Sequence, residues 1–359
     1  MTRRVERFES RSGARVYRLP LDLFPGLRGY AHLVLDDGLA AMVDTGSGFG
    51  QSNDQLEAGL LSVAAEFGEL VDWDRLTHIL ISHGHIDHYG GLPFVRQRTA
   101  APVGVHDLDL RVLIDHEARL ATVGRRLADY LAEAGVEPDE RRRLLEMYML
   151  NKHLFDSVQV DFTYQAVEMQ VGSLTIIHTP GHCPGQVVFR LDDLLLTSDH
   201  VLEGISPHQA PERLSLFTGL GHYLDSIDRL RPLAPVVRLA LGGHEGPIRD
   251  LAGRLDAIEQ LHIERLEAIL GRLDRPQTIA ALTDAIFPKA SGYHRLLALE
   301  ETGAHVEYLE TRGYIGPANT SALEAGSDRA IGYQALKRPP QAPTLAHRLA
   351  LPGGMHVRV

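Results

Sequence analysis

An α/β fold is the first prediction the sequence supports, and three observations carry it. Apolar runs of strand length recur along the first 250 residues, at 76–81, 174–177, 194–196 and 239–241. Charged stretches with apolar residues at helical spacing separate them. Each of the four runs leads within a few residues into a histidine or an aspartate, so side chains that suit divalent ions gather at strand ends.

Composition narrows the class. A net charge of -11 argues against a general nucleic-acid binder, which would carry a basic face. One cysteine excludes an intramolecular disulfide. The first residues, Met1-Thr2-Arg3-Arg4-Val5-Glu6-Arg7, hold no apolar core of a secretory signal, and no apolar run of membrane-spanning length follows. A cytoplasmic enzyme with no membrane partner is expected.

In chain order, residues 15–19 alternate as a strand. Runs 30–35 and 39–44 flank Asp36-Asp37-Gly38, a hairpin turn. Residues 23–30, with Phe24-Pro25-Gly26, are expected to form a loop at the mouth of a site. Thr45-Gly46-Ser47-Gly48 turns into a helix over 51–67. After the strand at 76–81 comes Ser82-His83-Gly84-His85-Ile86-Asp87-His88-Tyr89-Gly90-Gly91, with three histidines and an aspartate within six residues. In an extended segment His83 and His85 point the same way and can grip one ion. Asp87 and His88 lie past the bend and can reach a second. A helix to about residue 98 and a strand at 102–105 follow, with His78 and His106 taken as structural.

Residues 107–157 turn helical, with Pro138 opening a helix that has Asp139 and Glu140 in its first turn. Met147, Tyr148, Met149 and Phe155 are expected to line an apolar acyl pocket, Met being an adaptable wall. A strand pair over 167–177 leads to Thr179-Pro180-Gly181-His182-Cys183-Pro184-Gly185. A hairpin around Asp192-Asp193 leads to Thr197-Ser198-Asp199-His200. His200 and His208 are expected near the substrate, with Tyr223 on a helix over 220–230. The run 239–241 ends at Gly242-Gly243-His244. Past Gly246 three short helices are expected, the first marked by apolar residues from Leu255 to Leu273, the second over 278–287 and the third over about 293–311. The segment from Arg254 to Arg312 carries ten acidic and seven basic side chains, which favours a lid, a homodimer surface or a substrate wall over a DNA-reading role. Residues 319–359, with Pro339-Pro340-Gln341-Ala342-Pro343, read as an irregular tail.

The H-x-H-x-D-H run at 83–88, followed by His182, Asp199 and His244, resembles the metallo-β-lactamase superfamily over roughly the first 250 residues. The resemblance implies an αββα sandwich for residues 1–250, with the helices of 107–157 inserted as a lid over the site. It implies that His83, His85 and His182 hold one metal, that Asp87, His88 and His244 hold a second, and that Asp199 bridges them. Asp44-Thr45-Gly46 matches a D-T-G whose Asp supports the site from behind. The implied activity is a dinuclear hydrolase in which a metal-bridging hydroxide attacks an acyl thioester, ester or lactone, with Asp87 and Asp199 orienting it, as in glyoxalase-II-like and thioesterase relatives. Zn2+ is the expected ion, with Mn2+ or Fe2+ as substitutes. Residues 251–318 resemble the winged-helix-like appendage of some of these hydrolases. Two other activities share parts of the pattern: a metal-dependent ribonuclease and a mononuclear iron persulfide dioxygenase. The acidic balance opposes the first, and the complete second ligand set opposes the other.

Overall fold

Side chains alternate along the strands with period two, and the two faces of each strand enter different apolar layers. The computed structural model describes residues 4–152, 155–326 and 330–336. The first sheet has seven strands, in the order β1 (Glu6–Glu9), β2 (Arg15–Phe24), β3 (Leu27–Asp36), β4 (Leu39–Val43), β5 (His78–Leu80), β6 (Val103–Val105) and β7 (Phe162–Thr163). Between these strands run α1 (Ser52–Phe67), α2 (Ile86–Tyr89) and α3 (Leu92–Arg96), then α4 (Asp107–Ile114), α5 (His116–Glu133) and α6 (Pro138–Lys152). The second sheet comprises β8 (Gln170–Val171), β9 (Leu174–His178), β10 (Val187–Leu191), β11 (Leu194–Ser198), β12 (Leu239–Gly242) and β13 (Pro247–Ile248), with α7 (Leu220–Leu230) crossing from β11 to β12.

Val34, Ala41, Val43 and Leu80 of the first sheet meet Val187, Phe189, Leu196 and Leu241 of the second, forming the layer between the sheets. The neighbours in sequence point the other way. Leu33, Met42 and Ile79 pack on Leu56, Leu60 and Val63 of α1. Val188, Leu195 and Ala240 pack under Tyr223, Leu224 and Ile227 of α7. Helix, sheet, sheet, helix is therefore the layer order, as expected of an α/β sandwich.

The inserted helices and the chain after β13 join that last layer. α8 (Leu251–Leu270), α9 (Ile279–Ile286) and α10 (Tyr293–Thr311) are capped by Asp250 on the Gly253 N–H and by Thr278 on the Ala281 N–H at the first two starts. Leu255, Ile258, Leu296 and Leu299 share one cluster with Leu127, Leu131 and Leu144 of α5 and α6. Tyr130 of α5 donates to the Leu299 carbonyl at 2.6 Å. The C-terminal helices thus have no core of their own apart from the inserted helices and the outer face of the second sheet.

Three expectations are corrected. Residues 23–30 are not a loop but the tip of the β2–β3 hairpin, turning at Pro25-Gly26. The three C-terminal helices form where expected, α10 with the expected bounds, but α8 and α10 run 20 and 19 residues and are not short. The stretch from 319 is not irregular throughout. β14 (Ile315–Pro317) pairs antiparallel with β15 (Tyr333–Ala335) inside that stretch, and α11 (Thr320–Glu324) lies between. Residues 337–359 of the expected tail lie outside the described residues. Among the described residues no helix is long and apolar enough to cross a membrane.

Candidate metal centre

Within each sheet the strands that matter run the same way. β4 and β5 are parallel, β11 and β12 are parallel, and β9 and β11 are both antiparallel to β10. Their C-terminal ends therefore deliver Asp44, His83, His182, Asp199 and His244 to one edge of the sandwich. Close backbone approach fixes the loops there. A Cβ on Gly91 would lie 2.1 Å from the Thr45 carbonyl oxygen, and one on Gly29 would lie 2.8 Å from that of Gly243, so glycine is required at both.

All seven residues of the expected ligand set meet at this edge. Asp87, His88, Asp199 and His244 form one group of converging ligand atoms, and His83, His182 and Asp199 form another, with Asp199 common to both. His244 Nε2 lies 3.4 Å from Asp87 Oδ2 and 3.2 Å from Asp199 Oδ2. His88 Nε2 lies 3.5 Å from Asp199 Oδ1, and His182 Nε2 lies 3.9 Å from Asp199 Oδ2. His83 Nε2 lies 3.1 Å from His85 Nδ1, and the His85 and His182 rings are 4.5 Å apart.

The far nitrogen of four of the five rings is tied down. His88 Nδ1 is 2.8 Å from Asp44 Oδ2, and His182 Nδ1 donates to the His208 carbonyl at 2.7 Å. His244 Nδ1 donates to the Arg28 carbonyl at 2.5 Å, and His83 Nδ1 lies 3.1 Å from Ser82 Oγ. These partners fix ring orientation and leave each Nε2 aimed inward. The inward atoms His88 Nε2, His182 Nε2 and Asp199 Oδ1 are buried without a hydrogen-bond partner. Orphaned polar atoms on Asp199 and on the rings to either side of it are costly unless cations satisfy them. The donor set, imidazole and carboxylate, is that of zinc and similar divalent ions, so the residues fit such an ion.

The same side chains are strongly coupled electrostatically. Burial would raise the Asp199 pKa, but His244 and His88 hold it well below the usual carboxylate range. Burial likewise opposes ionisation of Asp87, and His88 and His244 outweigh it. In return, against burial, Asp199 and Asp87 push His244 up to about 12. In the metal-free site protonated His88 and His244 thus supply the positive charge beside the two carboxylates, a charge that a bound divalent ion would replace as it displaced their protons.

A cavity of about 1700 Å³ opens onto the centre. Of the residues expected near substrate, Tyr148 and His208 line it. His200 and Tyr223 do not: both are fully buried behind the wall, where the Tyr223 hydroxyl donates to the His200 carbonyl at 2.9 Å. Met147 packs against the cluster shared by the helices instead of lining the cavity. Phe155 does line it, as expected.

The sequence reading missed several contributors. Asp109, fully buried, accepts the Gly84 N–H at 2.7 Å and the Gly185 N–H at 2.9 Å, clamping the two histidine loops together. Burial raises its pKa, and these two bonds counter the rise. Cys183 is buried, and its Sγ converges with ligand atoms of His83 and His85. Phe287, Tyr293 and Leu297 bring the C-terminal helices to the cavity wall.

Comparison with known proteins places this geometry. A family model described as the metallo-beta-lactamase superfamily matches residues 25–270. The crystal structure of a metallo-beta-lactamase family protein from Thermus thermophilus is 27% identical with a TM-score of 0.67, over 89% of this chain and 98% of that one. A beta-lactamase domain protein from Burkholderia ambifaria shares the fold at 21% identity, with a TM-score of 0.68 over 92% of this chain and 95% of that one. An uncharacterized protein of Mycobacterium tuberculosis is 29% identical over 143 residues, 37% of this chain and 56% of its own length. The chain therefore spans little more than half the length of the curated relatives it matches.

Proposed function

Since this chain belongs to the metallo-beta-lactamase superfamily, whose members are generally hydrolytic enzymes, we propose that it is a dinuclear hydrolase of an ester-like carbonyl bond, in an acyl thioester or a lactone. The observation that carries the reading is the set of orphaned inward atoms of His88, His182 and Asp199, the last two of these residues lining the cavity. His83, His85 and His182 would hold one ion, Asp87, His88 and His244 the other, and Asp199 would be shared. Bound divalent ions, zinc by default, would polarise the scissile carbonyl and supply a hydroxide nucleophile at neutral pH.

The chain's own residues do the rest. Asp87 and Asp199, held ionised, can accept hydrogen bonds from the nucleophile and orient it. Asp44, His208 and Arg28 keep the imidazoles turned inward. Val112, Leu120, Val123 and Leu127 of the inserted helices, with Tyr148 and Phe155, give the cavity an apolar side that suits an acyl group. A volume of about 1700 Å³ exceeds that of an ordinary small-molecule site and leaves room for a carrier beyond the acyl group. Glu203, Glu245, Glu300 and Glu301 line the same space among Arg18, Arg28, Arg119 and Arg265, so the cavity is not the continuous basic groove expected of an RNA site. Residues 251–318, with the β14–β15 ribbon, are read as a winged-helix-like appendage that walls the substrate cavity, and the enzyme as a cytoplasmic one.

The test is a panel of acyl-CoA thioesters, S-lactoylglutathione and lactones, run with wild type and Asp199→Ala. Turnover of a thioester or lactone that the variant loses together with its metal supports the reading. Full activity in Asp199→Ala would sink it.

A further inference from the structure

The segment after β11 leaves the centre at Asp199 and returns to it at His208, whose carbonyl accepts the His182 Nδ1–H at 2.7 Å. What holds this return in place comes largely from α8 and α10. Arg254 donates to the Leu202 and Ile205 carbonyls at 2.5 and 2.7 Å. Ser206 Oγ lies 2.9 Å from His262 Nε2. His208 Nε2 lies 3.2 Å from Glu300 Oε2, and Glu301 Oε2 accepts the Gln209 N–H at 2.8 Å.

One fixed end sets the proton order along the buried part of this contact. The Glu301 carbonyl oxygen can only accept, so His305 Nδ1, at 2.7 Å from it, carries a proton. In the neutral ring His305 Nε2 is then an acceptor, and His262 Nδ1 donates to it across 3.0 Å. That leaves His262 Nε2 to accept the Ser206 hydroxyl proton. Burial keeps His262 and His305 neutral, as this order requires. His262, Glu301 and His305 converge closely enough to resemble a third ligand group. Their polar atoms are spoken for, however: Glu301 Oε1 accepts from Arg265 at 2.7 Å, its Oε2 from Gln209, and the ring nitrogens bond as described. This contrasts with the unsatisfied atoms at the metal centre.

We propose that the Ser206–His262–His305–Glu301 chain is a strut through which the C-terminal helices position the His182 ring, and thereby set the affinity of the His83–His85–His182 ligands for their ion. The proposal rests on the metal-centre reading above. Its residues are positioning residues, since none of the strut touches the ion.

The experiment titrates full-length, metal-free protein with Co2+, reading the absorption bands of each binding event and competing the metal off with a chromophoric chelator. Wild type is compared with Ser206→Ala and His262→Phe. Glu264→Gln, on the exposed face of α8, is the control. One of two binding events should weaken about tenfold or more in both variants, with altered bands for that event, while the other event and the control stay as in wild type. Should His262→Phe fail to fold, Ser206→Ala on the loop tests the same bond. Unchanged binding, or equal weakening of both events, overturns the strut. A wild-type chain that takes up no cobalt overturns the metal centre itself, and the strut with it.

Discussion

Asp44 ends β4 in the left-handed region, at φ 62°, a conformation a non-glycine residue adopts only when its surroundings require it. Its carboxylate gives the reason. Oδ1 accepts the Ser82 N–H at 2.8 Å, and Oδ2 accepts the Ser82 hydroxyl and faces His88 Nδ1, each at 2.8 Å. Asn tolerates the same backbone, so Asp44→Asn isolates the side chain's charge. An amide turned with its NH2 toward His88 cannot accept from that ring. We expect one ion to bind about 10- to 100-fold more weakly, with little change in unfolding midpoint, as read by chelator competition and urea denaturation. Unaltered affinity would show that Asp44 serves the turn alone. The D-T-G pattern made this residue legible in the sequence. Asp109 was not legible, because it looks like an ordinary acidic residue in a first helical turn. Its partners Gly84 and Gly185 are 25 and 76 residues away, and only the fold brings them within reach. The H-x-H-x-D-H residues needed no such help, since their ligand chemistry is local.

α6 shows where reading one helix from sequence stops. Met147 and Tyr148 are neighbours and looked equivalent as pocket walls. A helix turns by about a quarter circle per residue, and which of two neighbours faces the cavity depends on packing partners the sequence does not name. Both pack against the cluster shared with α8–α10, and of the two it is Tyr148 that also lines the cavity. Tyr148→Ala should therefore change relative kcat/KM across acyl chain lengths. Met147→Ala should leave that ranking alone and cost about 2 kcal/mol of stability, seen in urea denaturation. Reversed effects would contradict the placement. Two buried rings, His262 on α8 and His32 on β3, carry a pH prediction. Burial, aided by His305, lowers His262 to about 3, and burial, aided by Arg18, lowers His32 to about 3. Both rings are neutral when folded, while in the unfolded chain they protonate below about 6.5. Their contribution is complete above pH 6.5 and is lost as pH falls from there toward 3, at about 1.4 kcal/mol per pH unit for each ring. Denaturation of metal-free protein at pH 7, 6 and 5 should show this slope, and His262→Phe should reduce it. Stability that rose on acidification would contradict it.

The strands and their four terminal ligands were legible because alternation and ligand chemistry are sequence-local signals, while the order of layers came from the resemblance those ligands carry. How the C-terminal helices dock was not legible, since their apolar faces carry no address. Leu255, Ile258, Leu296 and Leu299 find Leu127, Leu131 and Leu144 more than a hundred residues away, so the inserted helices, the second sheet and the C-terminal helices share one core. The cavity inherits that arrangement, with one side from α5 and α6 and another from residues 287–298. An ion bound at its floor would stabilise the whole cooperative unit. At a thousandfold excess over Kd the gain would be about 4 kcal/mol, and a chelator would remove it. The most direct test of the whole account is the metal content of the purified chain by elemental analysis, with hydrolysis assayed on the same sample. Two divalent ions per chain, with thioester or lactone turnover that disappears on chelation and returns on adding metal, is the predicted result. A folded chain that holds no metal after incubation with zinc would contradict it.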